Sequence, residues 1–195
     1  MSIILENVNK SFDGKTVISD FSFEFQDIGR YCLIGSSGCG KTTLLRIIAG
    51  LEKADSGTVK GNRDKRFGWQ FQEDRLLPWF TVMKNLSMVM SAAEISESLK
   101  LVGLGTESRE YPNELSGGMK RRVSLLRALK SDSDVILLDE PVREVDEKNA
   151  EAMLELIRNG ISGKLLIMVS HDRSHADKLG CELIDLGRME NRNER

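Results

Sequence analysis

The chain has 195 residues, 40% hydrophobic and 30% charged, with a net charge of −2, the balance of a soluble globular domain with one substantial core and no general attraction for nucleic acid. Cys32, Cys39 and Cys181 are odd in number and scattered, and the two histidines are not placed to complete a metal site with them, which argues against a disulfide framework and fits a reducing cytoplasm. The longest apolar runs, Val135 to Leu138 and Leu165 to Val169, fall far short of the roughly 20 residues of a membrane span, and the N-terminus lacks a signal pattern, so any membrane is served through a partner.

Alternating apolar residues in Ile3–Val8 and Phe21–Phe25, with Asp13-Gly14 between them, predict antiparallel strands joined by turns. Tyr31-Cys32-Leu33-Ile34 reads as a strand that runs into a glycine-rich loop and then a helix from Thr42 to Ala49, stopped by Gly50. From about residue 74 to 131 the pattern is mostly helical: Val82 to Ala93, Ile95 to Val102 and Val123 to Leu129, broken by Gly103, Gly105 and Pro112. Beyond it, the apolar runs Val135–Leu138 and Leu165–Val169 flank a helix over Glu147 to Arg158, a β-α-β unit with buried parallel strands. The expected fold is therefore α/β, with a mainly parallel sheet, an N-terminal antiparallel β-layer and an inserted small helical lobe. A single domain is expected, its core over residues 1–73 and 132–187, the lobe over about 74–131 and a polar tail over 188–195.

Gly35-Ser36-Ser37-Gly38-Cys39-Gly40-Lys41-Thr42 matches G-x-x-x-x-G-K-[ST] between a predicted strand and a predicted helix, the context that this phosphate-binding motif requires. Its glycines let consecutive N–H groups turn toward phosphate oxygens, and the helix dipole adds about half a positive charge. Lys41 is expected to bind the β and γ phosphates of ATP and Thr42 to ligate Mg²⁺, with Thr43 completing the nucleotide-binding set. Cys39 has two readings: a reactive thiol beside a helix N-terminus, or a spacer of which only the backbone matters.

Val135-Ile136-Leu137-Leu138-Asp139-Glu140 ends an apolar strand in two carboxylates, where open α/β sheets bind ligands. Asp139 is placed to hold Mg²⁺, and Glu140 to orient or deprotonate the water that attacks the γ-phosphate. Pro141 then takes the chain out of the sheet. Leu115-Ser116-Gly117-Gly118-Met119 stands before a helix whose first turn is read as Lys120-Arg121-Arg122. A hydroxyl, glycine amides and a helix N-terminus make a second anion site, whereas Arg121 and Arg122 read as a solvated basic face.

With these motifs in hand, the chain resembles an ABC-transporter nucleotide-binding domain over nearly its whole length. The resemblance implies that Leu115–Met119 is the signature, which faces the phosphate loop of a second copy, so that Ser116, Gly117 and Gly118 meet ATP in trans in a head-to-tail homodimer. It also implies roles for four further residues. Phe12 would stack on adenine, although a core aromatic of the β-layer is an equal reading. Gln72 would be the Q-loop ligand for Mg²⁺ or the attacking water, Asp146 the D-loop contact to the partner, and His171 the switch histidine at the γ-phosphate. His175 matches nothing.

The stretch Gln72 to Val82, with Leu77-Pro78-Trp79 inside it, is similar to its counterpart in importers of the nitrate, sulfonate and taurine class. That likeness implies a bacterial uptake system with integral permease subunits, a solute-binding protein acting indirectly, no nucleic acid, and a place on the cytoplasmic face of the plasma membrane. Trp79 has two readings, permease contact or packing within the lobe. Three departures stand out: charged Arg143 and Glu144 before Asp146, a short stretch between Leu86 and Leu115, and an end soon after the last predicted strand that leaves no room for a regulatory domain. A soluble ABC ATPase of DNA repair or translation is the competing reading, but the coiled-coil insertion or fused second half of such proteins is not seen. A P-loop kinase would leave the signature and His171 without a role.

Overall fold

A computed structural model describes residues 2–143 and 145–189, leaving out the side chains of residues 148, 188 and 189; Glu144 and residues 190–195 of the expected tail lie outside the described residues. Two sheets organise the chain. The first joins β1 (Ile3–Phe12), β2 (Lys15–Phe25) and β4 (Ser56–Lys60) in the order β2-β1-β4, all antiparallel. The turn at Asp13-Gly14 is where the sequence places it, and both residues take positive φ (49° and 77°). The strands around it are longer than the alternation alone marks, because register shifts between Leu5 and Ser11 break the two-residue period.

The second sheet is parallel, in the order β5 (Phe67–Gln70), β6 (Val135–Asp139), β7 (Leu165–Val169), β3 (Arg30–Ile34), β8 (Glu182–Asp185). Every residue of β6 and β7 is buried, because alternate side chains enter cores on opposite faces. Val135, Leu137, Leu165, Ile167 and Val169 pack with α1 (Lys41–Ile48) and the antiparallel sheet. Ile136, Leu138, Leu166 and Met168 pack with α4 (Gly117–Lys130), α5 (Glu147–Gly160) and α6 (Arg173–Leu179). A strand buried on both faces has no solvent side to mark with polar residues, hence the unbroken apolar runs. Each such side chain contributes about 1.5–3 kcal/mol by leaving water.

A third core unites α2 (Val82–Leu86), α3 (Ala92–Leu101) and the Val123 and Leu126 side of α4. The helix expected from Val82 to Ala93 thus ends early, at Leu86, and the one expected from Ile95 to Val102 begins early, at Ala92. Thr81 caps α2, which stops at Leu86, and Ser91 opens α3 with a capping box to Glu94. Ser91 and Glu94 bind each other's backbone N–H, a reciprocal pair that favours a new helix start over continuation. The helix after the signature also begins earlier than expected, at Gly117, because Ser116 accepts from Met119 N and serves as the N-cap. β4, β5, β8, α6 and the short α7 (Leu186–Met189) were not anticipated from the sequence.

Candidate active site

The parallel sheet brings the site together at its C-terminal edge. β3, β6 and β7 release the chain there into the phosphate loop, Asp139-Glu140 and Ser170-His171, and β5 leads to Gln72. Since these four strands are neighbours in the sheet, segments far apart in sequence line one cleft. Its walls are Ser37, Gly38, Gly40, Lys41, Thr42 and Thr43 on one side and Gln72, Asp139, Glu140, Arg143 and His171 on the other.

The phosphate loop needs its glycines at two close approaches. At Gly40, with φ of 91°, a Cβ would lie 2.6 Å from the Val17 carbonyl oxygen, and at Gly35 a Cβ would lie 2.6 Å from Cys39 Sγ. Gly40 is also the N-cap of α1 and offers no side-chain acceptor, so the first amides of α1 are left for a ligand. Lys41 is buried, and its Nζ donates to the carbonyls of Gly35 at 2.9 Å and Ser36 at 2.7 Å, and to Cys39 Sγ at 3.8 Å. Among the described residues no carboxylate pairs with it. A buried ammonium that has only neutral acceptors suits an anion in the same cleft.

Across the cleft, Thr42 Oγ1 donates to Asp139 Oδ2 at 2.7 Å. Burial is the main cause that raises the Asp139 carboxyl above the ordinary aspartate value; the Glu140 charge adds to this, while the Thr42 hydroxyl, Lys41 and Arg121 oppose it. Asp139 makes no salt bridge among the described residues. A buried carboxylate beside a hydroxyl is a pair of hard oxygen donors short of positive charge, which fits Mg²⁺, an ion usually held by one or two protein groups together with phosphate and water. Glu140, next along, is buried and has a left-handed backbone, φ 53°. That conformation costs a non-glycine residue on the order of 1 kcal/mol and is a common mark of functional positions. Its carboxylate is gripped at both oxygens, with His171 Nε2 2.5 Å from Oε1 and Arg143 Nη1 3.4 Å from Oε2.

The structure overturns the solvated reading of Arg121 and Arg122. Arg121 Nη1 donates to the Glu140 carbonyl at 2.8 Å, its Nη2 to the Gln72 carbonyl at 2.9 Å, and its Nε to Asp74 at 3.3 Å. One guanidinium on α4 therefore ties together the strained Glu140 backbone and the segment after β5. Burial raises the Asp74 carboxyl and Arg121 offsets it, so the pair is a half-buried link rather than a fully exposed bridge. Arg122 Nη1 donates to the Val102 carbonyl at 2.6 Å and to Asn149 Oδ1 at 3.2 Å. Sequence reading missed both, since the acceptors that tie them to other segments lie 19 or more residues away.

The remaining expected residues lie outside this cluster. Gly35, Ser36 and Cys39 are not among the residues that line the cleft, and neither are Ser116, Gly117 and Gly118. Phe12 is 44% exposed, with Lys10 Nζ 4.9 Å from its ring centre, so it is not a core aromatic. Asp146 caps α5, accepting from the Asn149 side-chain amide at 2.5 Å and from Asn149 N at 3.1 Å, and this bonding, the side-chain amide above all, holds its carboxyl below the ordinary value. Trp79 is 66% exposed, which removes the reading that packs it within the lobe. His175 contacts Ser170 and Asp172, in keeping with a local structural role.

This fold, with a phosphate loop between β3 and α1 and an acidic end on the neighbouring β6, is that of a P-loop NTPase. The ABC transporter family model matches residues 18–143, and the chain belongs to that family. It is 36% identical, over 97% of its length, to the sulfate/thiosulfate import ATP-binding protein CysA of Vibrio cholerae, and spans 57% of that protein. It is 38% identical, over 94% of its length, to the aliphatic sulfonates import ATP-binding protein SsuB 1 of Agrobacterium fabrum, and spans 71% of it. Among solved structures, the dimeric structure of MJ0796, a bacterial ABC transporter cassette, matches with a TM-score of 0.81 at 28% identity over 95% of both chains. A second structure of MJ0796, in a post-hydrolysis state bound to ADP and Pi, matches with a TM-score of 0.82 at 28% identity, over 94% of this chain and 93% of that one.

Proposed function

We propose that the chain is the ATP-binding and ATP-hydrolysing subunit of a bacterial importer for a small anionic solute of the sulfate and sulfonate kind. The observation that carries this reading is the buried Lys41, which has only neutral acceptors and shares one cleft with the Thr42–Asp139 pair and with Glu140. Lys41 and the amides from Gly38 to Thr43 bind the β and γ phosphates, and Phe12, exposed on β1, stacks on adenine. Thr42 and Asp139 hold Mg²⁺, with Gln72 as a further ligand; when bound, the ion supplies positive charge at the phosphate oxygens. Glu140 takes a proton from the water whose oxygen attacks the γ-phosphorus, while the bond to the β-phosphate oxygen breaks and ADP leaves. His171 orients Glu140 and contacts the γ-phosphate.

Ser116, Gly117 and Gly118 complete the site of a second copy, and Asp146 touches that copy, so two ATPs are held between two chains. The core over residues 1–73 and 132–187 carries the nucleotide, and the lobe over about 74–131 carries the signature. The exposed Pro78-Trp79 edge meets an integral permease; aromatic anchors of this kind commonly carry protein contacts. No helix among the described residues is long and apolar enough to cross a membrane, and the subunit works peripherally on the cytoplasmic face, with the solute-binding protein engaged only through the permease. The test is Glu140→Gln: MgATP binding is retained and turnover falls about 10²–10⁴-fold. Turnover near that of the unaltered chain would remove Glu140 from the mechanism.

A further inference from the structure

We propose that Lys10 is a positioning residue for the nucleotide base: its ammonium backs one face of the Phe12 ring and holds that ring ready to receive adenine on the other. The inference rests on the reading that Phe12 stacks on adenine and adds to it a residue that the family resemblance does not supply. Lys10 and Phe12 are two positions apart on β1, so they share a face of the strand. Lys10 is buried, Phe12 is exposed, and Lys10 Nζ lies over the ring, 4.9 Å from its centre. An exposed phenylalanine at a strand end has more than one rotamer open to it. A fixed cation over one face selects among them.

The cation is fixed by its bonds. An ammonium has three N–H donors, and Lys10 Nζ has three oxygen acceptors: Glu52 Oε1 at 2.8 Å, the Lys53 carbonyl at 2.9 Å and Asp55 Oδ1 at 3.1 Å. Two of these are carboxylates, so Lys10 has no unmatched charge to offer a phosphate, unlike Lys41, whose acceptors are all neutral. The other Asp55 oxygen accepts from Ser11 N at 2.7 Å, and Asp55 N donates to the Asn9 carbonyl at 2.9 Å. The backbone that carries Lys10 and Phe12 is therefore held by the same loop. That loop follows α1, with Leu51 N and Glu52 N both donating to the Arg46 carbonyl, and the phosphate loop stands at the other end of α1. Val17, on the strand paired with β1, lines the cleft. One bonded frame thus sets the place of the ring relative to the phosphate site, with Lys10 at its joint.

The test is calorimetric titration of the intact protein with Mg²⁺-AMP-PNP, which is not hydrolysed, and with Mg²⁺-tripolyphosphate, which has the phosphates and no base. Phe12→Ala is expected to weaken AMP-PNP binding about tenfold, and Lys10→Met about threefold. Both should leave tripolyphosphate binding within about 1.5-fold, which also shows that the variants fold. Lys10→Arg should recover part of the loss, and Lys10→Met placed in the Phe12→Ala background should add nothing further. If Lys10→Met folds poorly, Glu52→Gln, which keeps the ammonium but weakens one of its three anchors, should give a smaller loss for AMP-PNP alone. Equal losses for the two ligands, no loss for either, or a full threefold loss in the Phe12→Ala background would overturn the inference and leave the adenine stack standing. Unchanged AMP-PNP binding by Phe12→Ala would overturn the stack and the inference with it. Failure of the unaltered protein to bind AMP-PNP would overturn the ATPase reading as well.

Discussion

The phosphate loop and the signature segment are built from the same parts, small residues and a hydroxyl ahead of a helix, but the chain uses them in opposite ways. α1 begins at Gly40 without any side-chain cap, and its first amides face a cleft that already contains a buried ammonium and a buried carboxylate. α4 begins with Ser116 capping its own helix, and a Cβ at Gly117 or Gly118 would meet nothing within 4 Å. The first site is assembled within one chain, whereas the second is an open surface. Loop and helix hold an anion firmly where opposing walls are supplied, so on the proposed reading the signature takes its walls from a second copy.

The largest effect should come from breaking the complete site. Lys41→Ala removes the buried cation proposed to face the phosphates, and MgATP affinity should fall about 100-fold in a direct binding assay; a change under threefold would show that Lys41 is not the phosphate ligand. Gly117→Ala strikes the open site instead. With free space around the new methyl, the fold and nucleotide binding by single chains should be unchanged, while ATP-driven dimerisation and turnover fall by about tenfold or more. A loss of monomer binding would erase the contrast between the two sites.

Arg121 joins the two halves of that contrast. Arg121→Ala leaves the half-buried Asp74 without its guanidinium and frees the Glu140 carbonyl, so stability should drop by about 1–3 kcal/mol and turnover by about tenfold, with a smaller change in the Km for ATP. A change confined to stability would make Arg121 a purely structural tie. The smallest effect concerns Asp139. Its carboxyl is raised by burial, so the folded chain keeps that proton to higher pH than the unfolded chain does. Stability therefore falls as pH rises through the interval between the ordinary aspartate value and the raised one, and stays lowered above it. Asp139→Asn should remove this penalty: at neutral pH the nucleotide-free variant should melt about 2–4 °C higher, yet gain little from MgATP. A lower melting temperature would contradict the assigned cause.

What could be read in the sequence was whatever is local. The phosphate loop, Asp139-Glu140 and the Ser116 segment announce themselves because their chemistry needs particular residues a few positions apart, and β6 and β7 because burial on both faces leaves unbroken apolar runs. β4, exposed over most of its length, and β5 and β8, four residues each, carry too few side chains to show a period. The boundary between α2 and α3 was signalled by Ser91 and Glu94, but the apolar residues before Ser91 continue at helical spacing, so the first helix was drawn too long and the second too short. Arg121 was misread for a different reason. Its acceptors, Gln72, Asp74 and Glu140, lie 49, 47 and 19 positions away, and no local pattern distinguishes such an arginine from a solvated one. For Phe12 and Trp79 it was exposure, a property of the folded chain, that removed the readings in which they are buried.

The central claim is that the open signature of one chain closes on the phosphate loop of another. Glu140→Gln, which holds ATP without consuming it, should run on a sizing column with light-scattering detection as a monomer in buffer or with MgADP and as a dimer with MgATP. A mass that stays monomeric with saturating MgATP would contradict the account.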